Sequence, residues 1–129
     1  MKIVIDTNVL VSALWTTNNN HIKILDMIGR GELRPCYDYR ILAEYEEVLR
    51  RPKFEFAERD IKGLLNRIKS KGVSIIADPI PLTMLDEKDR PFYEVAVCCG
   101  AYLITGNTKH FPNVPFVVGS AEFLKMLGG

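Results

Sequence analysis

The chain has 129 residues, 47% hydrophobic and 26% charged, enough for one domain with its own core (residues 1–129) and too few for a second of ordinary size. A net charge of +1 offers a polyanion no global attraction, so contacts with nucleic acid would rest on local basic clusters. No apolar run approaches the ~20 residues of a membrane span, and Asp6 interrupts what would have to be the apolar stretch of a signal peptide; a cytoplasmic protein is expected.

The three cysteines, Cys36, Cys98 and Cys99, lack Cys-x-x-Cys spacing and read as reduced core thiols rather than a disulfide framework or a zinc site. His21 and His110 stand far apart with no second ligand at helical spacing, which gives no support to soft-metal catalysis.

In chain order, short apolar runs at 2–6, 33–37, 73–77, 101–105 and 115–118 alternate with stretches of helical periodicity. That alternation describes a three-layer α/β/α domain with a parallel sheet of about five strands. The first run, Ile3-Val4-Ile5, ends on Asp6-Thr7-Asn8. An ionised group at a buried strand costs several kcal/mol unless a metal, a partner charge or hydrogen bonds compensate it. An Asx-turn or a helix cap is the alternative role for Asp6. Asn18-Asn19-Asn20 reads as a loop or a helix start.

Asp38 suits the N-cap of a helix carrying Ile41, Leu42, Tyr45, Val48 and Leu49 inward, and Pro52 stops it after Arg51. On that helix Glu44 and Glu46 both flank the apolar stripe while Glu47 points away, and periodicity does not choose between the first two. A second helix runs from Glu58 to Lys71 and ends at Gly72. The segment Asp78 to Thr83, with Pro79 and Pro81, is a connecting loop.

The cluster Asp86-Glu87-Lys88-Asp89 precedes a third helix with Phe92, Ala96 and Cys99 on one face, ending at Gly100. Asp89 starts the inward face and also suits an N-cap. The run Leu103-Ile104-Thr105-Gly106-Asn107 takes another strand into polar residues, with Gly106 permitting a tight turn or a close backbone approach. Ser120 can cap a last helix through Met126.

If the first and fourth strands are neighbours across the switch of a doubly wound sheet, these acidic elements meet at one carboxyl edge. Carboxylates gathered in one cleft repel, and a hard divalent cation is the usual solution; oxygen-only ligation favours Mg²⁺ or Mn²⁺ over zinc. Such a site suits phosphoryl chemistry.

The stretches IVIDTNVLVSAL, ILAEYEEVLRRPKF, DEKDRPFYEVAV and YLITGNTKHFP, in this order and spacing, resemble the PIN domain, a metal-dependent ribonuclease fold. The branch they look most like is that of the VapC-like toxins of bacterial and archaeal toxin-antitoxin pairs. The resemblance implies that Asp6, Glu44 and Asp89 hold the metal, and it selects Glu44 over Glu46. Asn107 stands where many members carry a fourth acid, with a carbonyl that ligates or orients water and one negative charge fewer for a second cation. Asn8, Asp86 and Thr105 are the candidates for supporting this set.

By the same resemblance the protein is expected to be an endoribonuclease leaving a 5′-phosphate and a 3′-hydroxyl, to form a homodimer, and to meet a separate antitoxin chain. Phosphate contacts would come from Arg50, Arg51 and Lys53, or from Arg59, Lys62, Arg67 and Lys69 on the second helix. Two other readings are a non-catalytic RNA- or protein-binding PIN domain and a phospho-acceptor receiver domain. The receiver lacks its acidic pair after the first strand, and its acceptor would have to be Asp78, followed by Pro79. A phosphatase of the Asp-x-Asp type fails because Asn8 stands at the second position.

Overall fold

Ile3, Val4 and Ile5 are completely shut off from solvent and form β1 (Lys2–Ile5) at the centre of a five-stranded sheet. The computed structural model describes residues 1–15 and 19–128, with only the backbone of Asn19. β2 (Arg34–Tyr37), β3 (Val73–Ser74), β4 (Tyr102–Ile104) and β5 (Val117–Val118) complete the sheet, all parallel, in the order β3-β2-β1-β4-β5.

The helices are α1 (Thr7–Trp15), α2 (Asn19–Gly29), α3 (Tyr39–Leu49), α4 (Glu58–Lys71), α5 (Arg90–Cys99) and α6 (Ser120–Gly128). Crossovers between parallel strands are right-handed, so the reversal of direction between β3 and β4 carries α5 to the face opposite α2 and α4. α5 packs on β1, β2 and β4, while α2 lies between α4 and α6. The strand order also excludes the receiver fold, whose sheet runs 2-1-3-4-5.

The switch point falls between β1 and β4, where Ile3 pairs with Tyr102, Val4 with Leu103 and Ile5 with Ile104. The Asp6 amide donates to the Ile104 carbonyl at 2.9 Å, so the two strands end level and Asp6 emerges beside Thr105.

Local sequence explains most boundaries. Asp38 caps α3, its Oδ1 accepting from the amides of Arg40 and Ile41 at 3.0 Å each. Pro52 diverts the chain into a short 3-10 turn, Pro52–Phe54. α4 stops at Gly72, where an added Cβ would lie 2.3 Å from the Pro35 carbonyl oxygen, and α5 stops at Gly100, whose φ of +62° is left-handed.

Several expectations are corrected. The run 73–77 yields only the two-residue β3: Ile75 still donates to the Tyr37 carbonyl, but there β2 gives way to α3, and Ile76 is exposed. Helix α6 begins at Ser120 itself, and the Ser120 hydroxyl lies 2.8 Å from His21 Nδ1. Of the three free cysteines only Cys36 is buried; Cys98 faces solvent. Asn20 belongs to α2, and Asn18 lies outside the described residues. Among the described residues no helix is long and apolar enough to cross a membrane.

A buried ionic cluster joins α3 to α5. Arg40 bridges Asp38 Oδ2 at 2.7 Å and Glu94 Oε1 at 2.8 Å, and the Ile80 amide donates to Glu94 Oε2 at 2.8 Å. Arg90 approaches the same carboxylate at 3.7 Å and donates to the Ile80 carbonyl at 2.7 Å, and to that of Leu82. Burial pushes the Glu94 carboxyl up, yet the Ile80 amide and the two guanidiniums outweigh it and hold the pKa below the usual range. Stability from Glu94 is therefore present above its unfolded pKa and is lost as pH falls through the depressed folded value. Glu94→Ala leaves Arg40 with Asp38 alone and the Ile80 amide without its acceptor, and should cost about 3 kcal/mol of unfolding free energy in urea titration at pH 7. A loss under about 1 kcal/mol would reduce the cluster to an ordinary surface pair.

Candidate functional site

Asp6 leaves the end of β1 almost fully buried, and both its oxygens are engaged. The Thr7 amide donates to Oδ1 at 2.8 Å and the Thr105 hydroxyl to Oδ2 at 2.7 Å. Burial pushes its carboxyl up, against the downward pull of those two hydrogen bonds and of His110.

Glu44 comes from the second turn of α3, half-buried, while Glu46 is exposed, and the structure thereby separates two residues that periodicity had left equal. The Thr7 hydroxyl donates to Glu44 Oε2. Burial and the nearby Asp6 charge raise Glu44, opposed by Thr7 and by the cations Lys88 and Arg51. Next to it, the fully buried Tyr45 donates its hydroxyl to the Ile5 carbonyl, fixing α3 against the end of β1.

Asp89 ends a 3-10 turn, Glu87–Asp89, and makes no capping hydrogen bond; Asp86 caps instead, accepting from the Lys88 amide at 3.0 Å. The helix cap expected of Asp89 is therefore unfilled: Asp86 caps only the preceding 3-10 turn, and the Asp89 carboxylate is unused by the backbone. Its Oδ2 is buried and has no hydrogen-bond partner, with His110 Nδ1 3.5 Å away. Burial first, then the charges of Asp6, Asp86 and Glu44, push the Asp89 carboxyl up to about 6, and His110 pulls the other way.

The loop after β4 closes the site. Thr105 Oγ1, besides donating to Asp6, accepts from the Asn107 amide at 3.0 Å, and Asn8 Oδ1 accepts from the Gly106 amide at 3.0 Å. Gly106 is not needed for a close approach, because an added Cβ would meet Asn8 at an ordinary 3.5 Å. The Asn107 side chain turns to His110, Nδ2 to Nε2 at 2.9 Å, rather than to the acids.

Sequence reasoning overlooked His110, set aside for want of a helically spaced partner. Its partner is Asn107, brought beside it by the 3-10 turn Thr108–His110, in which residues three apart eclipse. Lys88 was likewise missed among the cations.

Apart from Arg51, whose charge acts on Glu44, the basic candidates do not converge on the carboxylates. Arg50 forms a two-pronged pair with Glu58 at 2.9 Å, Arg51 pairs with Glu47 at 2.9 Å, and Lys62 lies 3.9 Å from Glu58. Lys53 sits over the Phe54 ring at 5.1 Å. Arg67 donates to the Leu25 carbonyl, and with Arg59 it borders a separate groove of 250 Å³ that includes Leu14 and Leu64. Lys69 is exposed on α4.

Among the described residues no three His, Cys, Asp or Glu side chains stand preassembled as a metal cluster. The donors nevertheless suit a hard cation. A carboxylate oxygen has two lone pairs, so Asp6 retains capacity beyond its two hydrogen bonds, and Asp89 Oδ2 is a buried acceptor that no hydrogen bond satisfies, with His110 Nδ1 at 3.5 Å. Leaving such an atom unpaired costs roughly 1–3 kcal/mol or more when charged.

A doubly wound parallel sheet with carboxylates gathered at its switch point is the architecture of a ligand-binding α/β domain. The chain belongs to the PIN domain family, whose model matches residues 2–109. It is similar in fold to a chain of VapBC2 from Rickettsia felis, solved bound to a DNA fragment from their promoter, with a TM-score of 0.60 and 18% identity over 92% of this chain and 96% of that one. No curated protein matches.

The folded protein binds a proton at Asp89 more tightly than the unfolded chain, so ionising this group at pH 7 opposes folding. The penalty is relieved as pH falls through about 6. The raised Asp6 and Glu44 act in the same sense. The thermal midpoint of metal-free protein should therefore rise between pH 7 and pH 5. At pH 7 Asp89→Asn should melt higher than the wild type, with a flatter pH profile. An Asp89→Asn protein that melts lower at pH 7 would show that the carboxylate is compensated by its surroundings.

Proposed function

We propose that this chain is a single-domain, metal-dependent endoribonuclease, and that it acts in the cytoplasm as the toxin of a toxin-antitoxin pair. The observation that carries the nuclease reading is the buried Asp89 Oδ2, which has no hydrogen-bond partner and only His110 Nδ1 at 3.5 Å, within electrostatic reach of Asp6 and Glu44. In this reading Asp6, Glu44 and Asp89 hold the cation, Mg²⁺ or Mn²⁺. When bound, it would activate a water and neutralise charge developing on a phosphodiester.

The remaining roles fall to the chain itself. Thr105 and the Thr7 amide aim the Asp6 carboxylate, the Thr7 hydroxyl aims Glu44, and Asn8 pins the loop that carries Asn107. Arg51 and Lys88, both close enough to act on Glu44, are the cations placed to meet RNA phosphates at the site. Arg50, Lys53, Arg59, Lys62 and Arg67 would serve more distant phosphates. Cleavage would leave a 5′-phosphate and a 3′-hydroxyl without a protein nucleophile. The toxin role, an antitoxin partner and a homodimer are supported by the resemblance to VapC-like proteins and by a structural neighbour that is part of VapBC2.

Purified protein given single-stranded and structured RNA should cleave it in Mn²⁺ or Mg²⁺, stop on chelation, and lose at least about a hundredfold in rate on Asp6→Asn. Cleavage that survives Asp6→Asn belongs to a contaminant. RNA that binds equally well with chelator and with Mn²⁺ and is never cut would establish the non-catalytic binding domain instead.

A further inference from the structure

We propose that Trp15, held by Phe54 at the end of α1, is a stacking platform for an unpaired base of single-stranded RNA. This rests on the ribonuclease reading above and deepens it, because it names the form of RNA the chain takes: an open strand rather than a duplex.

Trp15 is placed where burial does not explain it. It is the chain's one tryptophan and the last residue of α1, and it is 62% exposed although the same helix sends Val9 and Leu10 into the core. A tryptophan in a core or interface buries about 150–250 Å², and much of that stabilisation is forgone here. The ring is nevertheless held. It meets Phe54 edge to face, with centroids 5.3 Å apart and planes at 73°, and Phe54 stacks on Phe56 at 5.4 Å and 9°. Both phenylalanines are half-buried. Between them the chain accepts a left-handed backbone at Glu55, φ +55°, which a glutamate rarely adopts. The result is a large open ring braced from behind by two partly buried ones.

The surroundings favour a nucleotide over an apolar partner. Lys53 is exposed and its Nζ stands 5.1 Å from the Phe54 centroid, so a cation is built into the edge of the aromatic group. Rings interleaved with cations are what single strands bind, the rings stacking on bases and the cations meeting phosphates. A duplex keeps its base faces inside its own stack and has none to offer. With a net charge of +1, and with Arg50 and Arg51 paired to Glu58 and Glu47, stacking supplies affinity that diffuse charge does not.

The platform is also continuous with the carboxylates. Arg51, two residues before Lys53, acts on Glu44. Helix α1 starts at Thr7, whose hydroxyl holds Glu44, and packs against α3. At 1.5 Å per residue, Trp15 lies roughly 12 Å along the helix axis from Thr7. A stacked strand advances about 3.4 Å per nucleotide, so a base within about four nucleotides of a linkage at the carboxylates reaches the ring.

Because there is one tryptophan, its fluorescence reports this position alone. Oligouridylate or oligoadenylate, added at low salt in chelator so that it is not cut, should quench Trp15 in step with binding read from the anisotropy of end-labelled RNA. A blunt RNA duplex should leave the fluorescence nearly unchanged. Trp15→Leu keeps an apolar side chain and removes the π face; it should weaken single strands by about 5- to 150-fold and duplex hardly at all. Trp15→Phe should retain most of the affinity, and Lys53→Gln should reduce the slope of log affinity against log salt by about one.

RNA that binds without quenching Trp15, and binds Trp15→Leu as tightly as the wild type, would overturn the platform and leave the ribonuclease reading standing. Equal quenching by duplex and single strand would overturn it as well. A wild-type dimer that Trp15→Leu dissociates, with RNA affinity unchanged, would assign the ring to a contact between copies instead. A wild type that neither binds nor cuts RNA would remove the ribonuclease reading itself, and the platform with it.

Discussion

The hydrogen bond from Thr105 Oγ1 to Asp6 Oδ2 ties the ends of β1 and β4 together at the one place where the sheet reverses direction. It is possible only because the two strands end level, Ile5 opposite Ile104, and it turns a buried charge into part of the framework. Three consecutive residues then distribute the site from that point. Asp6 takes hold of Thr105, Thr7 of Glu44 on α3, and Asn8 of the Gly106 amide. Thr105 extends the chain to the Asn107 amide, and Asn107 to His110. Of the roles weighed for Asp6, that of a local acceptor is filled, since one oxygen accepts from the Thr7 amide, while the other accepts from Thr105.

Bringing Asp6, Glu44 and Asp89 within electrostatic reach works against the fold, because the Asp6 charge raises the cost of ionising Glu44 and both raise that of Asp89. Repulsion would push α3, which carries Glu44, away from the turn that carries Asp89. The cluster Asp38–Arg40–Glu94–Arg90 opposes this directly. It clamps the first turn of α3 to α5 and fastens the 78–83 loop through Ile80 and Leu82. In Glu94, burial is outweighed by paired cations and an amide, and in Asp89 it is not. Two acids on neighbouring turns, Glu94 buried and Asp89 partly so, thus carry opposite shifts: one acts as a fastener, and the other is left at a cost.

The parts legible in the sequence were those with local causes. A strand that ends on Asp6, a helix capped by Asp38 and stopped before Pro52, and a helix ended by Gly100 each follow from a residue and its immediate neighbours. What failed depended on contacts between distant segments. Glu44 and Glu46 look alike on a helical wheel; the family resemblance selects Glu44, but only the folded chain shows Thr7 reaching it on α3. Asp89 reads as a cap because the 3-10 turn that precedes α5, itself capped by Asp86, has no hydrophobic period to announce it. The Asn107–His110 pair is hidden for the same reason. The basic residues were countable, but whether Arg50 faces solvent or Glu58 is decided by packing between α3 and α4.

That pairing bears on how such a chain could engage RNA. With a net charge of +1 and Arg50 and Arg51 already held by Glu58 and Glu47, the surface offers little of the diffuse attraction that drives nonspecific binding. A phosphate must either displace a carboxylate from an arginine or reach the cations beside Glu44. Arg51 does both at once, since it is paired to Glu47 and still acts on Glu44. In the proposed nuclease a bound divalent ion would cancel two of the negative charges gathered at the switch point and lessen the repulsion that a polyanion meets there. In the proposed nuclease, then, the same ion is needed for the substrate to approach and for the bond to break, so loss of any one acid would weaken both steps together.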